Sequence, residues 1–238
     1  MRGGEVMQQI LLITDGCSNE GADPVKVALL AARQGIPVNV IGVLDDGVLG
    51  EKGEREVIGI AVAGNGMYRF TKASELSKTV QLMTQHTMEI SIQRTMASRW
   101  GMNEFQTVDS LPPELRPSVA REMEHAVEYA FLEVCLVIDL SGSMNPKRSY
   151  VVEAVRDLVH TLSSRTGEYR LDTIVFPDAG GGIVKHLKVP ATRLADAIGK
   201  IDPQGNTPTG PALALAIQTL KSGVPKDIRQ DGSRVYAG

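Results

Sequence analysis

The sequence predicts an α/β protein: a doubly wound, Rossmann-like, mostly parallel sheet with helices on both faces and one antiparallel edge strand. Three observations carry the prediction. Short runs such as "QQILLITDG" at 8–16 and "FLEVCLVID" at 131–139 are nearly continuous in Val, Ile and Leu, as strands buried on both faces are. Between such runs lie longer segments whose apolar residues recur every three or four positions, the period of a helix with one buried face. Aromatic residues make up only 4% of the chain, so aliphatic side chains must fill the interior. Strands alternating with helices imply right-handed crossovers and a covered sheet.

Taken in order, the first strand stops at Asp15 and Gly16. Asp23 and Pro24 open a helix, an N-cap acid followed by a proline whose missing N–H costs nothing in the first turn. Val25, Ala28, Leu29 and Ala32 form its apolar stripe, and Gly35 closes it. "IPVNVIGV" at 36–43 is the second strand, followed by a polar loop from Asp45 to Gly53. A helix through Ile58 and Ala61 ends near Gly64, and "MYRFTKA" makes a short third strand. Ser74 then caps a helix carrying Leu76, Val80, Met83 and Thr87. Residues 94–129 differ in character. Pro112, Pro113 and Pro117 remove backbone donors and fix φ, which predicts a connector whose second half, "VAREMEHAVEYAF", is helical.

The alternation restarts at 130 with "FLEVCLVID" and a helix after Ser149 that buries Val152, Val155, Val159 and Leu162. "YRLDTIVF" and "GIVKHLKV", joined by "PDAGGG", read as a hairpin. A short helix through Leu194 and Ile198 leads to "DPQGNTPTGP". Pro211 opens a last helix with Leu213, Ala216, Ile217 and Leu220 on one face, and 222–238 read as an exposed tail.

Composition narrows the function. A hydrophobic content of 42% against 22% charged residues is enough for a folded core. The formal charge is −3 and the Lys and Arg residues are scattered, so nucleic acid is not an expected partner. The longest apolar runs, "VCLVI" among them, are far too short to span a bilayer, and "ILLI" before Asp15 is too short for a signal peptide. No membrane partner is expected, and a cytoplasmic protein is. Cys17 and Cys135 fit a reducing compartment, the second as a core residue and the first in a loop with nothing beside it that marks a nucleophile. His86, His125, His160 and His186 stand apart, none with a second ligand at metal spacing. Glu122, Glu124 and Glu128 read as a solvated face. Trp100 and Phe105 read as pins for the connector or as a partner contact.

In open α/β sheets ligands gather beyond the carboxyl ends of the strands, where the strand order reverses. Asp15 and Asp139 each end a buried strand, so their carboxylates converge if those strands are neighbours. In "VIDLSGSM", side chains two apart on extended backbone point the same way, which aims Asp139, Ser141 and Ser143 at one point, with Gly142 permitting a tight turn. Two carboxylates with hydroxyls form a hard, all-oxygen donor set suited to Mg²⁺ or Mn²⁺ rather than zinc. "NTPTG" at 206–210 offers Thr207 from a loop on the same face; Thr209 competes with it, and either hydroxyl could instead cap the next helix. Acids and serines also crowd turns after strands by bonding local backbone, so "DLSGSM" gains its weight only from the other two segments.

"DLSGSM" resembles the Asp-x-Ser-x-Ser signature of von Willebrand factor type A domains, which build a metal-ion-dependent adhesion site. In that family a loop threonine and a "TDG" aspartate complete the site; "NTPTG" resembles the first and "LLITDG" the second. The resemblance implies one Mg²⁺ or Mn²⁺ ion held by Asp139, Ser141, Ser143, Thr207 and Asp15, with an open position filled by an Asp or Glu of a protein partner. In the family the Asp-x-Ser-x-Ser strand comes first and the "TDG" strand later, the reverse of this chain. The reading is therefore a single, circularly permuted domain over 1–238: 8–93 is the family's back half, 94–129 a connector, 130–221 the front half, and 222–238 a tail. The 36-residue connector spans on the order of 100 Å when extended, more than the domain needs. Domain ends commonly lie close together, and the same slack allows either a monomer or a swapped dimer.

The expected function is a metal-ion-dependent protein-binding or adaptor module, not an enzyme; bacterial members of the resembling family are often accessory components of larger machines. The face around "MNPKRS" and "PDAGGG" is expected to read the partner. An Mg²⁺-dependent phosphoryl-transfer or hydrolytic enzyme is the alternative. It lacks a phosphate-binding loop, a nucleophile elbow, a second acid two positions after Asp139 and a motif-placed base for Ser141. A metal-free assembly scaffold is a third reading, against which all five ligand positions are filled.

Overall fold

The structure, a computed structural model, describes residues 6–44, 50–99, 111–178, 183–202 and 205–222. Its strands are β1 (Val6–Thr14), β2 (Val38–Leu44), β3 (Tyr68–Lys72), β4 (Phe131–Asp139), β5 (Tyr169–Phe176) and β6 (Lys185–His186). Its helices are α1 (Pro24–Ala32), α2 (Glu51–Ala63), α3 (Leu76–Arg99), α4 (Arg116–Tyr129), α5 (Arg148–Ser163), α6 (Ala191–Gly199) and α7 (Thr209–Lys221). The strands form one six-stranded sheet in the order β3-β2-β1-β4-β5-β6, parallel throughout except for β6 at one edge. This is the doubly wound α/β fold.

The strand residues explain the two covered faces. On β4, Val134, Leu136 and Ile138 join a core with β1 residues Leu11 and Ile13 and with α3, α5 and α6. Cys135 and Val137, pointing the other way, join Ile10 and Leu12 against α1, α2 and α7. All of these strand residues are fully buried, and each large aliphatic side chain contributes about 1.5–3 kcal/mol relative to exposure. The buried amides between β1, β2 and β3 are bonded: Asn39 Nδ2 donates to Gln9 Oε1 (3.0 Å) and Asn39 Oδ1 accepts from Met67 N–H (3.0 Å). At the far end of the sheet Gln8 Nε2 donates to Glu133 Oε2 (2.5 Å) and to the Leu220 carbonyl (3.2 Å). Arg170 donates to Glu133 (3.0 Å), Asp172 (2.7 Å) and the Thr219 carbonyl (3.1 Å), so the last carbonyls of α7 are satisfied by strand side chains.

Several details depart from the sequence reading, beginning with α1, which buries Val27, Ala28 and Ala31 and leaves Leu29 exposed. α3 runs to Arg99 and takes up the first residues of the expected connector. Its buried Leu76, Val80, Thr84, Met88, Ile92 and Met96 recur every four residues, a stripe that continues past the Thr87 at which the sequence stripe stopped. α5 buries Val151, Ala154, Val155, Leu158 and Leu162, whereas Val152 and Val159 are only partly covered, so the inner face is turned by one residue. α7 starts at Thr209, two residues before Pro211, and β6 is a two-residue bridge opposite Ile174 and Val175 rather than a full strand. Trp100, Phe105, most of the "PDAGGG" loop and residues 223–238 lie outside the described residues.

Candidate metal site

β1 and β4 are parallel neighbours in register from Val6↔Phe131 to Ile13↔Ile138. The chain leaves β1 toward β2 and β4 toward β5, so the strand order reverses between them. Asp15 and Asp139 stand at the carboxyl ends of these two strands, where such sheets hold ligands.

The side chains there form one hydrogen-bonded cluster. Ser143 Oγ donates to Asp15 Oδ1 at 2.7 Å, and Ser141 Oγ lies 3.2 Å from Ser143 Oγ. The Ser141 backbone N–H donates to Asp139 Oδ1 at 2.8 Å, the turn that Gly142 continues. Thr14 Oγ1 donates to Asp139 Oδ2 at 2.6 Å. Asp139 is fully buried, and burial pushes its carboxyl up to about 6; the Thr14 and Ser141 bonds pull it down and the Asp15 charge pushes it further up. A buried carboxylate in this condition fits a cation, which would favour the ionised form. The cluster opens to solvent at Gly142 and Ser143, which are exposed, while Ser141 and Asp15 are buried. Two acids with hydroxyls suit a hard divalent ion, and among the described residues no group of three His, Cys, Asp or Glu forms a softer centre.

Thr207 reaches this end of the sheet by a different route. Asn19, four residues after Asp15, holds it with its side chain and its backbone: Asn19 Oδ1 accepts from Thr207 N–H (2.8 Å) and Asn19 N–H donates to the Thr207 carbonyl (3.2 Å). The structure thus ties Thr207 to the Asp15 loop but records no bond from its hydroxyl to the other four residues. Thr209 is the deeper of the two, 1% exposed, with its hydroxyl buried and unbonded. Neither hydroxyl caps α7, whose N-cap is Pro208.

Sequence reasoning missed three residues here. Thr14 is the threonine of "TDG", of which only the aspartate was read as a ligand, and Asn19 carries no motif. Lys147 looked like part of an exposed partner-reading face, yet its side chain is 4% exposed and its ammonium is paired with Asp15 Oδ2. Met144 in the same "MNPKRS" stretch is also fully buried, which leaves Asn145, Pro146 and Ser149 exposed and Arg148 half-buried. Glu56 on α2 accepts from Ser18 N–H at 2.7 Å and fixes the loop after Asp15. Burial and the Glu56 charge push the Cys17 thiol up, so it is not an activated nucleophile. Cys135 is a buried core thiol, also raised by burial. His186 bonds Asp172 (3.1 Å) and His125 stacks on Tyr129, both away from the cluster. No helix among the described residues is long and apolar enough to cross a membrane.

No family model matches the chain. It is 36% identical over 214 residues to the uncharacterized protein YabS of Bacillus subtilis (strain 168), spanning 88% of this chain and 87% of that one. A crystal structure of an uncharacterized protein from Alicyclobacillus acidocaldarius superposes with a TM-score of 0.81 at 36% identity, covering 91% of this chain and 94% of that one. Proximal thread matrix protein 1 of the mussel byssus, solved with a zinc-occupied MIDAS motif, is 15% identical. It covers 94% of this chain and 48% of that one with a TM-score of 0.27, too poor a superposition to carry an argument.

Proposed function

This chain belongs to the family represented by YabS of Bacillus subtilis, and from that footing we propose that it is a metal-ion-dependent protein-binding module of von Willebrand factor A type with permuted connectivity. One observation carries the reading: two buried carboxylates from strands that are distant in sequence meet at the switch point of the sheet, with Ser141 and Ser143 between them. Asp15 and Asp139 with the hydroxyls of Ser141, Ser143 and Thr207 would hold Mg²⁺ or Mn²⁺. When bound, the ion supplies a positive centre with a free coordination position for an Asp or Glu of another protein. The chain's own residues orient that centre: Thr14 and the Ser141 N–H fix the Asp139 carboxylate, and Asn19 fixes the threonine loop. The permuted reading draws support from the way the two halves divide the sheet. β1–β3 lie on one side of the β1/β4 seam and β4–β6 on the other. Binding rather than bond breaking is the function proposed, and the cytoplasm its place.

Thermal unfolding in MgCl₂ or MnCl₂ tests this. An ion that binds only the native state at a hundred times its Kd adds about 2.7 kcal/mol, or about 5–10 °C in midpoint for a chain of this length. Wild type is expected to show that rise, and Asp15→Ala and Asp139→Ala each to abolish it. A wild type indifferent to both ions ends the proposal; a response lost in Asp139→Ala alone ends the shared site.

A further inference from the structure

The ion-paired lysine changes how such a site must work. Asp15 has two carboxylate oxygens: Oδ1 takes the Ser143 hydroxyl and Oδ2 the ammonium of Lys147. Neither charged side chain sees water, Asp15 at 0% and Lys147 at 4% exposure, so no solvent screens the pair. Lys147 is held there by its place in the chain. It ends the 3-10 turn Gly142–Lys147 that begins inside the Ser141–Ser143 loop, and it immediately precedes α5. The segment that brings the serines to Asp15 therefore also delivers a positive charge to the same carboxylate.

Counting charge shows the consequence. Asp15, Asp139 and Lys147 together carry −1 when both acids are ionised. A divalent ion added beside all three would bring a second cation to the Asp15 carboxylate that Lys147 already meets, whereas without Lys147 both carboxylates face the ion alone. Like charges a few ångströms apart in a poorly solvated site repel strongly. Resting on the metal-site reading above, we propose that Lys147 is a built-in counter-cation that competes with the divalent ion for Asp15. The ion gains Asp15 only as Lys147 gives it up. The site then has two arrangements, one closed by the lysine and one held by metal.

The test uses the full chain, with MgCl₂ and MnCl₂ alone as probes in calorimetric titration. Lys147→Met is expected to bind either ion about tenfold more tightly or better than wild type, and Lys147→Arg, which keeps the charge, to stay near wild type. Mass-spectrometric lysine footprinting with an acetylating reagent gives a second measure. Lys147 of wild type is expected to be protected without added metal and modified several-fold faster with it, and Asp139→Ala to show no such change. If Lys147→Met fails to fold, the footprint and Lys147→Arg decide. If wild type binds metal but Lys147→Met binds no better and the footprint stays unchanged, the competition is wrong while the metal site stands. If neither protein binds either ion, both fall together.

Discussion

Glu56 shows how a residue outside the ligand set shapes the loop that carries Asp15. Its carboxylate takes the Ser18 N–H, a bond that favours the ionised form, yet it is half-buried between α2 and that loop. Burial, and secondarily the Asp23 charge, outweigh the pull of Ser18 and Lys52, and the carboxyl is held above its ordinary value of 4.5. A carboxyl whose folded value is raised binds more protons in the native state than in the unfolded one. Its contribution to stability is therefore full below the unfolded value and is lost as pH rises through the folded one. Glu56→Gln keeps an oxygen for Ser18 and removes the charge. The variant is expected to match wild type below about pH 4.5 and to gain on it as pH rises past that point. Parallel midpoint-against-pH curves for the two proteins would remove burial as the governing influence. Such residues were illegible in the sequence for a physical reason. Asp15, Asp139, Ser141 and Ser143 stand out because they follow buried strands at fixed spacing, whereas Glu56, Asn19 and Lys147 acquire their partners only through the fold. A lysine is normally a surface residue, and nothing local marks the one that is not.

The same division holds among helices and strands. β4 and β5 were legible to the residue, β4 as a nearly continuous aliphatic run and β5 from its β-branched and aromatic end "TIVF", stopped by Pro177. α3 was read too short, with the connector begun at 94, because its last turns carry polar residues such as Thr95, whose hydroxyl back-bonds to the Ser91 carbonyl and so sits in a helix despite its polar look. The start of α7 was misplaced at Pro211 because proline favours the first helical position, which put Gly210 outside the helix. The structure gives that glycine another purpose. A Cβ there would come within 1.8 Å of the Ala22 carbonyl oxygen, and one on Gly21, at φ +82°, would meet the Pro211 ring at 2.4 Å. Bare backbone thus lets α7 dock on the 19–22 turn and bring Thr207 to Asn19. Gly210→Ala must push the helix off that turn and is expected to cost about 3 kcal/mol or more in denaturant unfolding. Gly59→Ala in α2 meets only a Val25 methyl at 3.3 Å and gains helix propensity, so it should stay within about 1 kcal/mol of wild type. Equal costs for the two would mean that the 210–22 approach is not a real constraint.

Sheet order joins these pieces into a claim about connectivity. The β1/β4 seam is the most central pairing of the sheet, and it links residues more than a hundred positions apart. The chain reaches β4 from β3 only through α3, the 100–110 segment and α4, whereas the end of α7 already lies against the start of β1, where Gln8 Nε2 meets the Leu220 carbonyl at 3.2 Å. If native contacts rather than chain order hold this fold, Ser222 can be joined to Val6 through about eight Gly/Ser residues and the chain opened within 101–110. No described contact is lost, and loop-closure entropy changes by only about 0.6 kcal/mol for each doubling of loop length. The rearranged protein, which runs from the "DLSGSM" half into the "TDG" half, is expected to unfold cooperatively within a few degrees of wild type. It should also keep the same midpoint rise in MgCl₂, lost on Asp15→Ala or Asp139→Ala. A folded product without the metal response would show that the two halves share a sheet but not an ion. A rearranged chain that cannot fold would show that the covalent path through α3 and α4 is itself part of what brings Asp15 to Asp139.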